Sequence, residues 1–375
     1  MKPPPARLGD PVAAIESPAL VIDLDALERN IARMAAFASA RGMRLRPHAK
    51  THKSAQIARL QIAAGAAGIC VQKTSEAEAL ADQGIADIFI SNEVLALDRL
   101  ARVAALARRV RLAIAVDSPL GIDRLTRAAQ AAGSTIDVFV EVDVGQGRCG
   151  VAPAAAGGLA RLVASHAGLR FAGLQAYHGG AQHIRASAER EAAIRRAAGA
   201  AAAARAAVTS LGIACPLVTG AGTGSFAFEA ASGVYGELQA GSYVFLDRDY
   251  ADNEPAPDAP AFEHALFVLS RVVSRGVAHV VVDAGHKSHA IDSGPPAVWR
   301  RELDFVNGGD EHGILHAREG SSVDALPALD ELVWLVPGHC DPTVNLHDHY
   351  VGVRGGIERG VVEAIWPVDA RGCVT

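Results

Sequence analysis

Between residue 19 and about residue 245, short runs of apolar and β-branched residues alternate with longer amphipathic, alanine-rich segments. That alternation predicts repeated strand–helix units. Nine runs read as strands: "ALVIDL" (19–24), "MRLRPH" (43–48), "GICVQ" (68–72), "DIFIS" (87–91), "RLAIAV" (111–116), "IDVFVEV" (136–142), "RFAGLQ" (170–175), "PLVTG" (216–220) and "ELQAG" (237–241). Setting the first aside leaves eight, the number a closed parallel barrel requires. In "LDALERNIARMAAFASARG", Leu27, Ile31, Met34 and Phe37 form one helical stripe and Gly42 a stop, so a helix precedes the barrel. After the Pro/Asp-rich "DRDYADNEPAPDAPAF" (247–262), read as a linker, long helical patterns cease. "ALFVLSRVVS", "HVVVDAG", "ELVWLVPG", "VGVRGG" and "VVEAIWPV" then predict a small β domain. The expected fold class is α/β: a (β/α)8 TIM barrel over 17–246, followed by a C-terminal β domain over 260–375 that also takes a strand from the N-terminal segment 1–25.

The same alternation has a chemical consequence in "MRLRPHAK" (43–50). Period two puts Met43, Leu45, Pro47 and Ala49 on one face and Arg44, Arg46, His48 and Lys50 on the other. The apolar face suits the helix layer, so the cationic face looks into the barrel, with Lys50 at the C-terminal rim where barrel active sites gather. Lys53 falls beyond the strand. A buried ammonium crowded by like charges has a depressed pKa, which makes it an amine nucleophile able to form a Schiff base. A solvated, charged strand end is the alternative.

Two further stretches carry chemistry. The glycines of "TGAGTGSF" (219–226), after a strand, either present backbone N–H groups to a phosphate or simply make tight turns. "QAGSY" (239–243), at the next strand end, would add donors to the same anion. In "VPGHCDPTVNLHDHY" (336–350), His339 and Asp341 share a face if the segment is extended, and imidazole with carboxylate suits Zn, Mn or Mg. On the residues alone, structural hydrogen bonding is the slightly favoured reading of the pair.

Composition narrows the partners. Half of the 375 residues are hydrophobic, enough for a large core, and 36 basic against 41 acidic residues give a net charge of −5. Without a basic surplus a nucleic acid is not expected, and a small molecule is. Cys70, Cys149, Cys215, Cys340 and Cys373 are odd in number and lack CxxC spacing, which argues against both a disulfide framework and a cysteine zinc cluster. With prolines in "MKPPPARLGDP" where a signal peptide needs an apolar run, and with no apolar stretch of membrane-spanning length, a cytoplasmic protein without a membrane partner is expected.

"RPHAKTHK", "GICVQKTSEAEAL", "ISNEV", "EVDVGQGRCGV", "GLQAYHGGAQH", "TGAGTGS", "ELQAGSY" and "VPGHCDPTVNLHD" together resemble the D-threonine aldolase and 3-hydroxy-D-aspartate aldolase branch of the fold-type III pyridoxal 5'-phosphate (PLP) enzymes. Eukaryotic-type D-serine dehydratases and, more distantly, alanine racemase share that fold. The resemblance runs from about Ser17 to Gly372. It implies an alanine-racemase-like barrel with a β domain, a homodimer, PLP, a divalent metal, and retro-aldol cleavage of a D-β-hydroxy-α-amino acid to glycine and an aldehyde. Carried over by motif, Lys50 would hold PLP covalently; Gln72, Arg148 and Tyr177 would line it; Gly222, Thr223, Gly224, Gly241 and Ser242 would hold its phosphate. Gln239 would meet the pyridine nitrogen, His339 and Asp341 would bind the metal, and His183 would be the base near the substrate hydroxyl. Dehydratase relatives carry cysteine where Asp341 stands, which favours the aldolase branch. The alternatives are a D-serine or 3-hydroxyaspartate dehydratase and a non-catalytic PLP-binding protein; a racemase would need a second base that the sequence does not reveal.

Overall fold

Asp23 ends the first strand and begins the first helix in one step, its carboxylate accepting the Ala26 N–H at 3.0 Å. The helix α1 (Leu24–Ala40) buries Leu27, Ile31, Met34 and Phe37, the stripe read from the sequence, and the chain leaves it through Gly42 at φ 63°. The computed structural model describes residues 3–375, so the first two residues of the 1–25 segment lie outside the described residues.

All nine strand readings fall on strands. β1 (Ala19–Asp23) stands apart, and β2 (Arg44–Leu45), β3 (Ile69–Val71), β4 (Asp87–Ile90), β5 (Arg111–Val116), β6 (Ile136–Glu141), β7 (Leu169–Gln175), β8 (Val218–Gly220) and β9 (Glu237–Leu238) form one parallel sheet in the order β2-β9-β8-β7-β6-β5-β4-β3. The end strands meet through a parallel bridge between His48 and Cys70. Pro47 and Ala49 complete the seam, Cys70 donating its N–H to the Pro47 carbonyl and accepting from Ala49, each at 2.8 Å. β2 is shorter than the run that predicts it because the chain turns toward this seam at Pro47.

Alternate residues on the strands separate two layers. Ile69, Val71, Ile88, Ile90, Ile114 and Val138 pack outward under the helices, while Cys70, Phe89, Ala113, Ala115 and Phe139 pack inside the barrel. The inner apolar cluster does not fill the barrel. Arg46 enters it, with Nη1 2.5 Å from Asp87 Oδ1 and Nε 3.3 Å from Glu237 Oε1. The inward parity of Arg46 and His48 therefore holds, whereas Arg44 lies at the outer end of the strand with 46% of its side chain exposed.

The second sheet is built from residues far apart in the chain. β10 (Leu266–Arg275), β11 (His279–Val282), β12 (Ala297–Val298), β13 (Leu303–Asn307), β14 (Gly313–Ala317), β15 (Leu332–Val336), β16 (His349–Arg354) and β17 (Val361–Pro367) run in the main order β13-β14-β11-β10-β1-β16-β17, with β15 also on β10 and β12 on β15. β1 sits inside it, antiparallel to β10 and parallel to β16. β12, β13 and β14 have no counterpart in the sequence reading: they are short or half-exposed, so their alternation is diluted by polar residues.

Candidate active site

The strand ends converge on a cavity of about 460 Å³ lined by His48, Lys50, Gln72, Arg148, Tyr177, His183, Gly222, Thr223, Gln239, Gly241, Ser242, His339 and Asp341. Nearly all the residues singled out by motif are thus brought together. Gly224 is the exception: it does not line this cavity, and its N–H donates to Gln182 Oε1 at 3.0 Å.

Lys50 follows the barrel seam and faces Asp341, Nζ to Oδ2 3.2 Å. This corrects the expected depression of its pKa. The Asp341 charge outweighs burial and holds the ammonium above the ordinary lysine value. Its neighbour on the strand's inner face, His48, is buried; desolvation first and the Lys50 charge second push its pKa well below the ordinary histidine value, so the ring is neutral. His48 Nδ1 accepts the Lys50 N–H at 3.3 Å, and Nε2 lies 3.1 Å from Ser91 Oγ and 3.0 Å from Gln72 Nε2. Lys53 has a structural role. It is buried, 2.5 Å from Glu76 Oε1, and donates to the Ala370 carbonyl at 3.4 Å.

Two loops supply an anion cradle. The N–H groups of Gly222, Thr223, Gly241 and Ser242 donate to no acceptor among the described residues. Glycine is needed at both ends. A Cβ on Gly222 would sit 2.4 Å from Gln182 Oε1, and one on Gly241 would sit 2.6 Å from the His48 carbonyl oxygen. Beneath the cradle Gln239 donates to Gln175 Oε1 at 2.7 Å and to Thr219 Oγ1 at 2.8 Å, and Thr219 donates to Glu237 Oε1 at 2.9 Å. Gln239 thereby offers a neutral amide to the cavity, fixed by a ladder that runs down to Arg46. Tyr177 is held in its protonated form by burial, and the Arg148 guanidinium lies 5.5 Å from the centre of its ring. Free amide donors, a facing lysine and a neutral amide fit PLP.

His339 and Asp341 stand on the turn after β15. His339 Nε2 is 3.8 Å from Asp341 Oδ2, and Nδ1 is 2.7 Å from Asp292 Oδ2. Asp341 Oδ1 is buried without a hydrogen-bond partner among the described residues. Burial alone would raise the Asp341 pKa, but the charges of Lys50 and His339 hold it at about 2. An ionised carboxylate with an unused buried oxygen beside an oriented imidazole fits a divalent cation. Among the described residues no group of three or more His, Cys, Asp or Glu is placed to hold a metal, so water or substrate oxygens would complete the shell.

His183 reaches the cavity from the segment after β7, its Nδ1 2.6 Å from Asp249 Oδ2. Burial pushes Asp249 up, but hydrogen bonds from His183 and Arg185 bring it down to about 2. Asp249 and the cavity-lining Tyr250 belong to the segment read as a linker. Its first residues are instead part of the site, with Asp247 accepting the N–H groups of Tyr250 and Cys340 at 3.1 Å each. Asp249, Asp292, Gln175 and Thr219 escaped the sequence reading; only Gln175 and Thr219 lie within motifs that were singled out. His286 and Lys287 lie outside the cavity and pair with Asp310 and Glu311.

The arrangement has close parallels. Residues 22–249 match the model of the alanine racemase N-terminal domain, and residues 265–353 that of the putative serine dehydratase domain. D-threonine aldolase of an Arthrobacter species is 48% identical, with 99% of this chain and 96% of that protein covered. 3-Hydroxy-D-aspartate aldolase of Paracoccus denitrificans (strain Pd 1222) is 44% identical over 98% of this chain and 95% of its own. The crystal structure of D-threonine aldolase from Filomicrobium marinum superposes with a TM-score of 0.96 at 51% identity, covering 99% of this chain and 100% of that one.

Proposed function

Because the chain belongs to the family of the D-threonine and 3-hydroxy-D-aspartate aldolases, PLP-dependent lyases on the alanine racemase fold, we propose that it cleaves a D-β-hydroxy-α-amino acid to glycine and an aldehyde. The observation that carries the reading is one cavity uniting Lys50, four free backbone N–H groups and an Asp341 oxygen without a partner.

Lys50 would hold PLP, with Gly222, Thr223, Gly241 and Ser242 on its phosphate, Gln239 at the pyridine nitrogen, and Gln72, Arg148 and Tyr177 along its edges. PLP held there would supply the electron sink that Cα–Cβ cleavage requires. His339 and Asp341 would hold a divalent cation, which would supply positive charge beside the substrate β-hydroxyl. The chain's own part is positioning and proton transfer. Asp249 fixes His183 through Nδ1 and leaves Nε2 to take the hydroxyl proton as the aldehyde carbonyl forms. Asp292 fixes His339 in the same way and turns Nε2 toward Asp341. Neutral Gln239 leaves the ring nitrogen without a full counter-charge.

A barrel over 17–246, a β unit over 260–375 with the N-terminal strand, a homodimer and a cytoplasmic setting belong to the same proposal; five free cysteines support a reducing compartment. Among the described residues no helix is long and apolar enough to cross a membrane. Incubating the PLP- and metal-loaded protein with D-threonine and 3-hydroxy-D-aspartate tests the reading. Glycine with acetaldehyde or glyoxylate is expected. A keto acid with ammonia would make it a dehydratase, and absence of any turnover would leave only a PLP-binding protein.

A further inference from the structure

Two motifs, "ISNEV" and the first residue of "EVDVGQGRCGV", bring Glu93 and Glu141 together behind the cavity wall. Glu141 ends β6 and is buried, and Glu93 makes direct side-chain contact with it. Both carboxylate oxygens of Glu93 are buried without a hydrogen-bond donor among the described residues. Arg148, the nearest cation, reaches only Glu141, Nη2 to Oε1 4.0 Å. The other groups that face the pair supply neither a proton nor a compensating charge. Asp117 accepts the Gly150 N–H at 3.3 Å, and the Cys149 thiol, its pKa pushed up by burial and then by Glu93, makes no well-formed hydrogen bond to Glu93.

Two ionised carboxylates in contact, sealed from water and served by one distant guanidinium, would each be an acceptor facing an acceptor. One proton between them resolves both problems, since it gives Glu93 a bond and reduces the net charge of the pair to that of a single anion. We propose that Glu93 and Glu141 share one proton and that the resulting monoanionic acid pair is the counter-ion that positions Arg148 along the cavity. Burial first, and Glu93 second, hold Glu141 above the ordinary carboxylate range, in keeping with this. Glu93, which does not line the cavity, is thus a positioning residue that acts on Arg148 through Glu141. A fully ionised pair would pull the guanidinium off the cavity wall; an apolar residue in place of Glu93 would leave Glu141 to bind it differently.

The proton can be read directly. In infrared difference spectra of the full chain near neutral pH, wild type against E93Q and wild type against E141Q should each show the carbonyl stretch of a protonated carboxylic acid that shifts in deuterium oxide. Either amide supplies its own N–H and removes the need for the shared proton. This measurement needs neither PLP nor turnover, so its outcome is separate from that of the aldolase reading, on which only the second arm rests. Titration with PLP, followed by absorbance, should show affinity weakened about tenfold or more in E93A and largely restored in E93Q. Absence of the acid band in both difference spectra would overturn the shared proton, and E93A binding PLP as tightly as wild type would overturn the positioning role.

Discussion

The floor and the wall of the cavity are both polar and both buried, yet they are finished to different degrees. On the floor, Gln239, Gln175, Thr219, Glu237 and Arg46 satisfy one another in a continuous ladder. On the wall, Asp341 keeps an oxygen with no partner among the described residues, and four amides of the neighbouring loops donate to none of them. A saturated network resists change and holds shape, while an unsaturated one lowers its energy by taking a ligand. Substitutions on the floor should therefore appear as lost stability and those around the wall as lost activity.

The largest expected effect is that of Lys50→Ala, a fall in turnover by about four orders of magnitude or more, since on the proposed reading it removes the covalent anchor. Borohydride reduction of the wild-type protein with PLP, followed by peptide mapping, should mark Lys50; a mark on Lys53 would reverse the assignment. Next, Asp341→Asn or removal of metal by a chelator should lower turnover by about three orders of magnitude while the bound PLP chromophore persists, as absorbance will tell. Loss of the chromophore with the metal would instead make the wall part of the floor.

On the proposed reading His183→Ala should cost about a hundredfold, toward the lower end for a general base, since a metal on His339 and Asp341 would share the work of acidifying the hydroxyl. A variant that turns over like the wild type would reduce His183 to loop packing. Thr219→Val breaks the ladder at its middle rung, taking a donor from Glu237 and an acceptor from Gln239. It should cost about 1–3 kcal/mol in thermal or denaturant unfolding, and an unchanged midpoint would contradict the floor's structural role.

The smallest effect concerns acid. Asp249 titrates at about 2 in the folded chain against roughly 3.9 when unfolded. Its contribution is therefore complete above the unfolded value and is lost as pH falls through about 2. Asp249→Asn should be less stable than wild type at neutral pH, with the gap closing on acidification; a gap independent of pH would mean that no charge is involved.

Features that repeat along the chain were legible in the sequence. The barrel strands announce themselves because each has an apolar outer face, and Lys50 because strand parity puts it on the face opposite. What stayed hidden depends on residues that meet only after folding. Asp249 looked like one acid in a Pro/Asp-rich connection, and nothing local signals that its carboxylate meets an imidazole from the end of β7. Asp292 is likewise an ordinary loop aspartate until His339 arrives beside it. The pKa of Lys50 was misread for the same reason: the like charges on its own strand are visible in sequence, whereas Asp341 comes from the other end of the chain.

The placement of β1 bears on how the molecule can be made. Its two partners, β10 and β16, leave the ribosome only after the whole barrel has been synthesised, so the strand must wait with both hydrogen-bonding edges unpaired. Growth of the chain therefore cannot finish one half before the other. The pairing of Val21 with Val351 closes nearly the full contour of the polypeptide, a non-local step of the kind that slows folding. A barrel fragment cut free after residue 246 would carry β1 as an orphan edge, prone to pair with a second copy of itself.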